Sequence, residues 1–124
     1  MEVTPLIPAG RQVIERYGAG GFQVSGVAYG SSVLITPDHT EAWPVSAVAE
    51  LTLDSLAPLT ARGDVNILLL GCGRRMQPVP TSLRQDLKAL GIVVDAMDTG
   101  AACRTYNVLL SEDRRVAAAL IRPE

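Results

Sequence analysis

The sequence predicts a three-layer α/β fold, with a mixed central sheet, flanking helices and an accessory antiparallel β layer from the N-terminal third. We expect one domain over residues 1–124. Three observations predict this fold. Residues 3–44 are rich in β-type patterns interrupted by glycines. Residues 65–70 form a continuous apolar run, which is typical of a strand buried on both faces. Strand and helix patterns then alternate, which predicts a parallel strand–helix–strand unit with a right-handed crossover.

The N-terminal third predicts an antiparallel meander. A first strand covers residues 13–17, and the glycines of residues 18–21 break it, because glycine readily adopts the positive φ that turns need. Alternation then resumes, and residues 28–36 predict a second strand with a bend at Gly30. Turn-forming residues at 37–40 end this strand.

The middle region, residues 43–62, predicts one short helix. Thr52 or Asp54 caps its start, since a short oxygen-bearing side chain accepts hydrogen bonds from free amide groups. Pro58 shortens or starts the helix, because proline is tolerated in the first turn and not in the interior. Trp43 is interpreted as a packing anchor, with an exposed interface role as the alternative.

The rest of the chain alternates strands and helices. Ser82 and Gln85 predict a capping box at the start of a helix that ends at Gly91. Residues 92–97 predict the next strand, which we expect to lie parallel and adjacent to the strand over residues 65–70. Toward the end of the chain, residues 114–121 permit either a helix or a strand.

Polar residues cluster just past the ends of the two parallel strands, where open α/β sheets usually bind their ligands. One cluster follows the first strand. The other begins at Asp98 or Thr99, which caps a helix that continues to about Ser111. Backbone amides and arginines at this edge predict a cleft for a carboxylate or phosphate. The candidate ligand-binding residues are Gly71, Gly73, Arg74, Asp98, Thr99, Arg104 and Thr105.

Each half of this candidate site has a structural alternative. Gly71-Cys72-Gly73 followed by two arginines is also typical of a tight turn with solvated side chains. It lacks the lysine of a phosphate-binding loop and the full glycine pattern of a dinucleotide site. Asp98 also suits a helix cap whose ion-pair partner is Arg104. The residues alone leave both interpretations open.

The sequence contains no recognisable catalytic set, and we predict no cofactor. Cys72 and Cys103 are expected to approach each other at the sheet edge, yet two cysteines and one histidine cannot supply four zinc ligands. Cys103 is either a small buried residue or a thiol made reactive by the helix N-terminus. His39, with Asp38 and Glu41 beside it, is most simply part of a solvated turn.

Charge and hydropathy limit the classes of partner. A net charge of −2 gives no general attraction to nucleic acid or to an anionic membrane. We expect a cytoplasmic protein, because residues 1–10 lack a signal-peptide pattern and no apolar run is long enough to span a membrane. Only 19% of residues are charged, which favours an oligomer or a bound partner, with a small monomer as the alternative.

Three segments together resemble a family of small α/β domains of uncharacterised function. They read YGAGGFQVSGVAYGSSVLITPD from residue 17, VNILLLGCG from residue 65 and MDTGAACRTYNVLLSEDRRVAAALI from residue 97. The family includes the mitochondrial respiratory complex I assembly factor 3 and an adipogenesis-associated protein of the same fold. The resemblance implies a three-layer α/β fold and a strand rather than a helix at residues 116–121. It implies no established activity, cofactor or active site.

Two functions are therefore expected. The first is a non-enzymatic interaction or assembly protein, linked to the biogenesis of a respiratory or other membrane complex, with a protein partner. The second is a small-molecule binding protein that holds an anion or acyl compound at the sheet edge.

Overall fold

The computed structural model describes residues 10–123 and forms two sheets with helices packed against the larger one. Residues 1–9, which contain most of the segment used to predict that no signal peptide is present, lie outside the described residues. The strands and helices, in chain order, are β1 Ile14–Gly18, β2 Gly21–Val24, β3 Val27–Tyr29, β4 Ser32–Thr36, β5 His39–Trp43, α1 Ala57–Thr60, β6 Ile67–Gly71, α2 Thr81–Ala89, β7 Val93–Met97, α3 Thr99–Ser111 and β8 Val116–Leu120.

The larger sheet is mixed, in the order β5-β4-β8-β6-β7. Strand β6 runs parallel to both β7 and β8, whereas β4 runs antiparallel to β5 and β8. This confirms the predicted parallel pair and the mixed central sheet. Strand β8 is completely buried near the centre of the sheet, which confirms the strand interpretation of residues 116–121.

The smaller sheet is the accessory antiparallel layer, in the order β1-β2-β3. The prediction of a strand over residues 28–36 was wrong. Ser25 and Gly26 have positive φ and form the turn between β2 and β3. The chain then bends at residues 30 and 31 and passes into the larger sheet as β4. The predicted bend at Gly30 is therefore the passage from one sheet to the other.

The turn predicted over residues 37–40 is shorter than expected. Pro37 and Asp38 alone form it, and His39 already begins β5, which pairs in register with β4 as far as Trp43. Strand β5 was not predicted, because its polar residues resemble those of a loop. A strand at the edge of a sheet with a solvated face tolerates such residues.

The middle region contains short helical turns and the four-residue helix α1, as Pro58 predicts. Neither Thr52 nor Asp54 takes a cap position, because Leu53 and Leu56 precede the helical turn and α1, both without a side-chain cap bond; Thr52 instead bonds Ser55 across the turn. The Ser55 amide donates to Thr52 Oγ1 and the Thr52 amide donates to Ser55 Oγ, both over 3.1 Å. Trp43 is 2% exposed and its Nε1 donates to the Ser55 carbonyl over 2.8 Å, so the packing-anchor interpretation is confirmed.

The capping box predicted at the start of α2 is absent. The cap position is Pro80, no side chain accepts a hydrogen bond there, and Ser82 lies inside the first turn. The helix ends near Gly91, which has a φ of +79° and so takes the conformation that stops a helix. After β7, Asp98 caps α3, which confirms the prediction that Asp98 or Thr99 begins this helix.

Apolar residues pack on both faces of the larger sheet. One core lies on the α2 face, where Leu83 and Leu87 meet Leu68 and Leu70. The other core lies on the opposite face, where α3 and the accessory sheet cover the strands. The fold is thus three-layered, as predicted. Within residues 10–123, no helix combines the length and apolar character that a membrane crossing requires.

Candidate functional site

The two polar loops meet at one edge of the larger sheet. We call this the carboxyl edge, defined by the ends of β6, β7 and β8 at Gly71, Met97 and Leu120. The Gly73 amide donates to Thr99 Oγ1 over 2.8 Å, and the Thr99 amide donates to the Gly73 carbonyl over 2.8 Å. The sequence-based expectation that these loops share one edge is confirmed.

Thr99 holds three chain segments together. Besides its bonds with Gly73, its hydroxyl donates to the Ile121 carbonyl over 2.7 Å, and the residue is fully buried. Gly71 provides the space for this contact. A Cβ at Gly71 would lie 2.9 Å from Thr99 Oγ1 and 3.0 Å from the Leu120 side chain. Gly71, Gly73 and Thr99 therefore hold the two loops together, and the Gly73 amide is already bonded.

Arg104 is positioned by a residue that the sequence analysis did not select. Its Nη1 donates to the Tyr17 hydroxyl over 2.5 Å, across 87 positions of sequence. Gly100 lets the ring approach the helix, because a Cβ there would lie 3.0 Å from Tyr17 Cε2. Asp98 Oδ1 accepts from the Ala101 amide over 2.9 Å. The structural alternative is thus half right: Asp98 is a helix cap, and Arg104 bonds Tyr17 instead of Asp98.

A cavity of about 340 Å³ opens beside these groups, and we call it the Tyr17 cavity. Four of the seven candidate residues line it, namely Gly73, Arg74, Asp98 and Arg104. Gly71, Thr99 and Thr105 do not line it: Gly71 and Thr99 are buried against each other, and Thr105 lies further along α3. The hairpin turn between β1 and β2 forms the opposite wall, so the accessory sheet contributes directly to the site.

A second cavity of about 330 Å³ lies on the other side of Arg74, and we call it the Arg122 cavity. Arg75 and Arg122 line it together with Ser46. Arg122 follows β8, and its Nη1 donates to the Gly30 carbonyl over 2.9 Å. Sequence spacing gave no signal for Arg122 or Tyr17, because both reach the edge through the pairing of distant strands.

The carboxyl edge carries an excess of positive charge. Within residues 10–123, the ion pairs involve only Arg11, His39 and Arg62 as cations. Four arginines line the two cavities and take part in none of these ion pairs: Arg74, Arg75, Arg104 and Arg122. Among the described residues, Asp98 in the Tyr17 cavity is the one acidic residue that lines either cavity. The edge can therefore attract an anionic group.

The two thiols do not supply a nucleophile at this edge. Cys103 is 1% exposed, and burial raises the pKa of its thiol to about 12. Burial also raises the pKa of the Cys72 thiol. The expectation that the cysteines approach each other was wrong, because Cys72 packs in the core on the α2 face and Cys103 in the core on the α3 face. The buried interpretation of Cys103 replaces the reactive one.

The remaining titratable residues offer little for catalysis. His39 Nε2 lies 3.3 Å from Glu41 Oε1, on the exposed strand β5 and away from the carboxyl edge. Burial raises the pKa of the Tyr106 phenol, whose hydroxyl donates to the Gln12 carbonyl over 3.1 Å. Among residues 10–123, no three His, Cys, Asp or Glu side chains gather closely enough to hold a metal ion.

Known proteins share this fold, and the chain matches the model of one protein family. A family model described as a protein of unknown function (DUF498/DUF598) matches residues 14–121. An uncharacterised protein of Rhodobacter capsulatus is 42% identical over 114 residues, which cover 91% of this chain and 86% of the relative. A crystal structure described as an outer membrane protein from Bartonella henselae superposes with a TM-score of 0.86 at 35% identity, covering 93% of this chain and 98% of that one.

A eukaryotic relative carries a functional name. The NADH dehydrogenase [ubiquinone] 1 alpha subcomplex assembly factor 3 of Danio rerio is 33% identical over 112 residues. The match covers 90% of this chain but spans only 64% of the relative's length.

Proposed function

We propose that this chain, which belongs to the DUF498/DUF598 family, is a non-enzymatic assembly-type protein that binds a protein partner at its carboxyl edge. A link to the biogenesis of a respiratory or other membrane complex is the finer form of this proposal. It is supported by the name of the Danio rerio relative as an assembly factor. The burial of both thiols favours binding over covalent catalysis.

The single observation on which the proposal depends is the group of arginines around the two cavities, which find no carboxylate partner in the part of the chain that the structure describes. Exposed apolar side chains lie in the same surface. Met76 is 59% exposed in the loop that follows Arg74 and Arg75, and Tyr17 is 42% exposed at the rim of its cavity. Arginine, methionine and tyrosine are the residue types enriched in protein interfaces. An acidic partner surface with apolar groups would satisfy both features.

A charge-reversal experiment tests this function. The double variant Arg74→Glu and Arg75→Glu places acidic groups at the carboxyl edge. The matched control is Arg16→Glu with Arg114→Glu, which changes the net charge equally at exposed positions outside both cavities. We expect affinity capture from the native cell to recover a stoichiometric partner with the wild type and the control, and to lose it with the edge variant. Equal recovery with both variants contradicts the proposal, as does repeated failure of the folded wild type.

A second candidate function is the binding of a small carboxylate or phosphate in the Tyr17 cavity. The observation that favours it is that Arg74 and Arg104 line the same cavity and Tyr17 already positions Arg104. Preorganised guanidinium groups suit planar anions. Millimolar inorganic phosphate or succinate should raise the melting temperature of the wild type and not of Arg104→Ala. The second candidate is wrong if neither anion shifts the wild type.

A further inference from the structure

Strand β7 forms an open edge of the larger sheet, since it is the last strand in the order β5-β4-β8-β6-β7. The Val93 amide donates to the Asn66 carbonyl over 3.0 Å, and the Met97 carbonyl accepts from the Cys72 amide over 2.9 Å. Residues 93, 95 and 97 thus turn their backbone groups toward β6. The backbone groups of Val94 and Ala96 point away from the sheet, because a parallel ladder alternates in this way.

A narrow apolar cavity with a cationic rim lies along this edge. Its volume is about 210 Å³ and its lining residues are Arg84, Lys88, Ile92, Val93 and Val94. Val93 is 65% exposed, although β-branched residues suit a half-buried strand surface. Within residues 10–123, neither Arg84 nor Lys88 takes part in an ion pair.

Arg84 already occupies part of the open edge. Its Nη1 donates to the outward Val94 carbonyl over 2.9 Å. This is the position that an amide of an added strand would take. When a peptide amide replaces it, the guanidinium of Arg84 is free to bind a carboxylate of the same peptide.

We propose that β7 binds an extended acidic segment of a partner protein, which adds to the larger sheet as a sixth strand. Strand addition gains affinity from main-chain hydrogen bonds and specificity from alternate side chains. On the α2 face, the alternate side chains of the segment meet Arg84 and Lys88 and should be Asp or Glu. On the other face, the intervening side chains lie beside exposed Val93 and Asp95; they should be apolar, which packs on Val93 and keeps like charge away from Asp95. This surface is separate from the carboxyl-edge cavities and does not depend on the function proposed above.

Charge argues for a different partner over a second copy of this chain. Pairing of two β7 strands about a two-fold axis normal to the sheet would place both α2 helices on the same face. Arg84 and Lys88 of one copy would then face those of the other. In the register centred on Asp95, the two Asp95 carboxylates would also lie directly opposite each other, and like charges at opposed positions destabilise strand pairs. An acidic segment instead pairs its carboxylates with Arg84 and Lys88 and, because its side chains on the other face are apolar, places no carboxylate opposite Asp95.

The test uses a fluorescein-labelled peptide of eight residues in which Glu and Val alternate, with a Lys and Val peptide as the matched control. We expect the full chain to bind the Glu peptide and not the Lys peptide in an anisotropy titration. Hydrogen exchange should slow at the Val94 and Ala96 amides, and not along β5 at the other edge. Arg84→Glu with Lys88→Glu should weaken binding about tenfold, because two partly exposed ion pairs are lost. Arg16→Glu with Arg114→Glu, an equal change of charge at exposed positions outside this cavity, should leave it unchanged.

Several results would overturn the proposal. They are no binding of the Glu peptide, equal binding of the Lys peptide, or protection at amides other than Val94 and Ala96. Formation of a dimer that protects those two amides in the absence of peptide, detected by size-exclusion chromatography with light scattering, would assign the edge to a second copy. The peptide pair and the exchange data use the wild-type chain, so they decide the matter even if the Arg84 variant folds poorly.

Discussion

The two ends of the parallel strands carry arginines in different surroundings. The end opposite the carboxyl edge, which we call the amino edge, lies at Val65, Val116 and Pro37, where a cavity of about 240 Å³ opens. There, Arg62 bonds Asp38 over 2.8 Å and Asp64 over 2.9 Å. At the carboxyl edge, Arg104 bonds a tyrosine hydroxyl and Arg122 a backbone carbonyl. Arg11 and Arg62 at the amino edge are thus paired with carboxylates of the chain, whereas among residues 10–123 the arginines that line the carboxyl-edge cavities, like Arg115 at the amino edge, take part in no ion pair.

Stability at the two edges also has different sources. At the amino edge, the guanidinium of Arg62 holds the pKa of the Asp38 and Asp64 carboxyls below their usual range. The ionised carboxylates therefore contribute to the free energy of unfolding. At the carboxyl edge, the neutral Thr99 joins the segments, and the arginines stand outside this contact. The comparison shows that a cavity lined by arginine is a candidate binding site only where those arginines are not required to neutralise the chain's own carboxylates.

The largest effect is expected from Thr99→Val at the carboxyl edge. Valine keeps the shape of the side chain and removes the hydroxyl, which leaves the Gly73 amide and the Ile121 carbonyl buried without that partner. Each unsatisfied buried group is costly, so the free energy of unfolding should fall by about 3 kcal/mol. Urea denaturation followed by circular dichroism measures the change.

Thr99→Ser is the matched control for this substitution. It retains the hydroxyl and loses only a methyl group, so it should cost about 1 kcal/mol. If the Val and Ser variants unfold at the same urea concentration, the hydroxyl does not hold the carboxyl edge together and the proposed division between the edges is wrong.

The next largest effect is expected from Arg62→Ala at the amino edge. The substitution removes the partner of Asp38 and Asp64 and also a bond to Thr36 Oγ1 of 3.0 Å. Because these carboxylates are more than half exposed, solvent screens much of the loss, and we expect about 1 kcal/mol. Arg114→Ala, which removes an exposed arginine that takes part in none of the ion pairs seen in residues 10–123, should be neutral in the same urea titration.

The pH dependence of the stability difference between wild type and Arg62→Ala separates the ionic contribution of Arg62 from its packing. The Asp38 and Asp64 pKa values lie below the ordinary value of 3.8 in the folded chain. A depressed carboxyl pKa contributes stability that is present above the unfolded pKa and is lost as the pH falls through the folded pKa. The stability gap between wild type and Arg62→Ala should therefore be constant from pH 7 to about pH 5 and shrink below pH 4. A gap that stays constant down to pH 3 would show that Arg62 acts through packing alone.

Local patterns predicted the parts of the carboxyl edge that lie close together in sequence. The parallel strands β6 and β7, the glycine turn after β6 and the Asp98 cap of α3 all follow from short-range signals, namely an apolar run, turn residues and an oxygen-bearing side chain. Because parallel strands end at the same edge, the meeting of Gly73 and Thr99 could also be predicted.

The rest of the edge depends on pairing between distant segments. Tyr17 reaches Arg104 because the accessory sheet packs on α3, where Asn107 bonds the backbone of Ile14. Arg122 reaches the Gly30 carbonyl because β8 pairs with β4. No local pattern encodes either contact. At Gly73 the meeting of the loops could be predicted but not the bond: free backbone amides were expected there, and the Thr99 hydroxyl accepts from the Gly73 amide.

The smallest effect on stability is expected from Arg74→Ala with Arg75→Ala at the carboxyl edge. Both side chains are exposed and take part in none of the ion pairs seen in residues 10–123, so their removal should change the free energy of unfolding by less than about 0.5 kcal/mol. Removing positive charge from a surface that already has an excess can even stabilise the chain slightly. Urea denaturation at low and at high salt, run beside Arg62→Ala, measures both values under the same conditions. A loss as large as that of Arg62→Ala would mean that the carboxyl-edge arginines serve folding, and they would then be poor candidates for holding a partner.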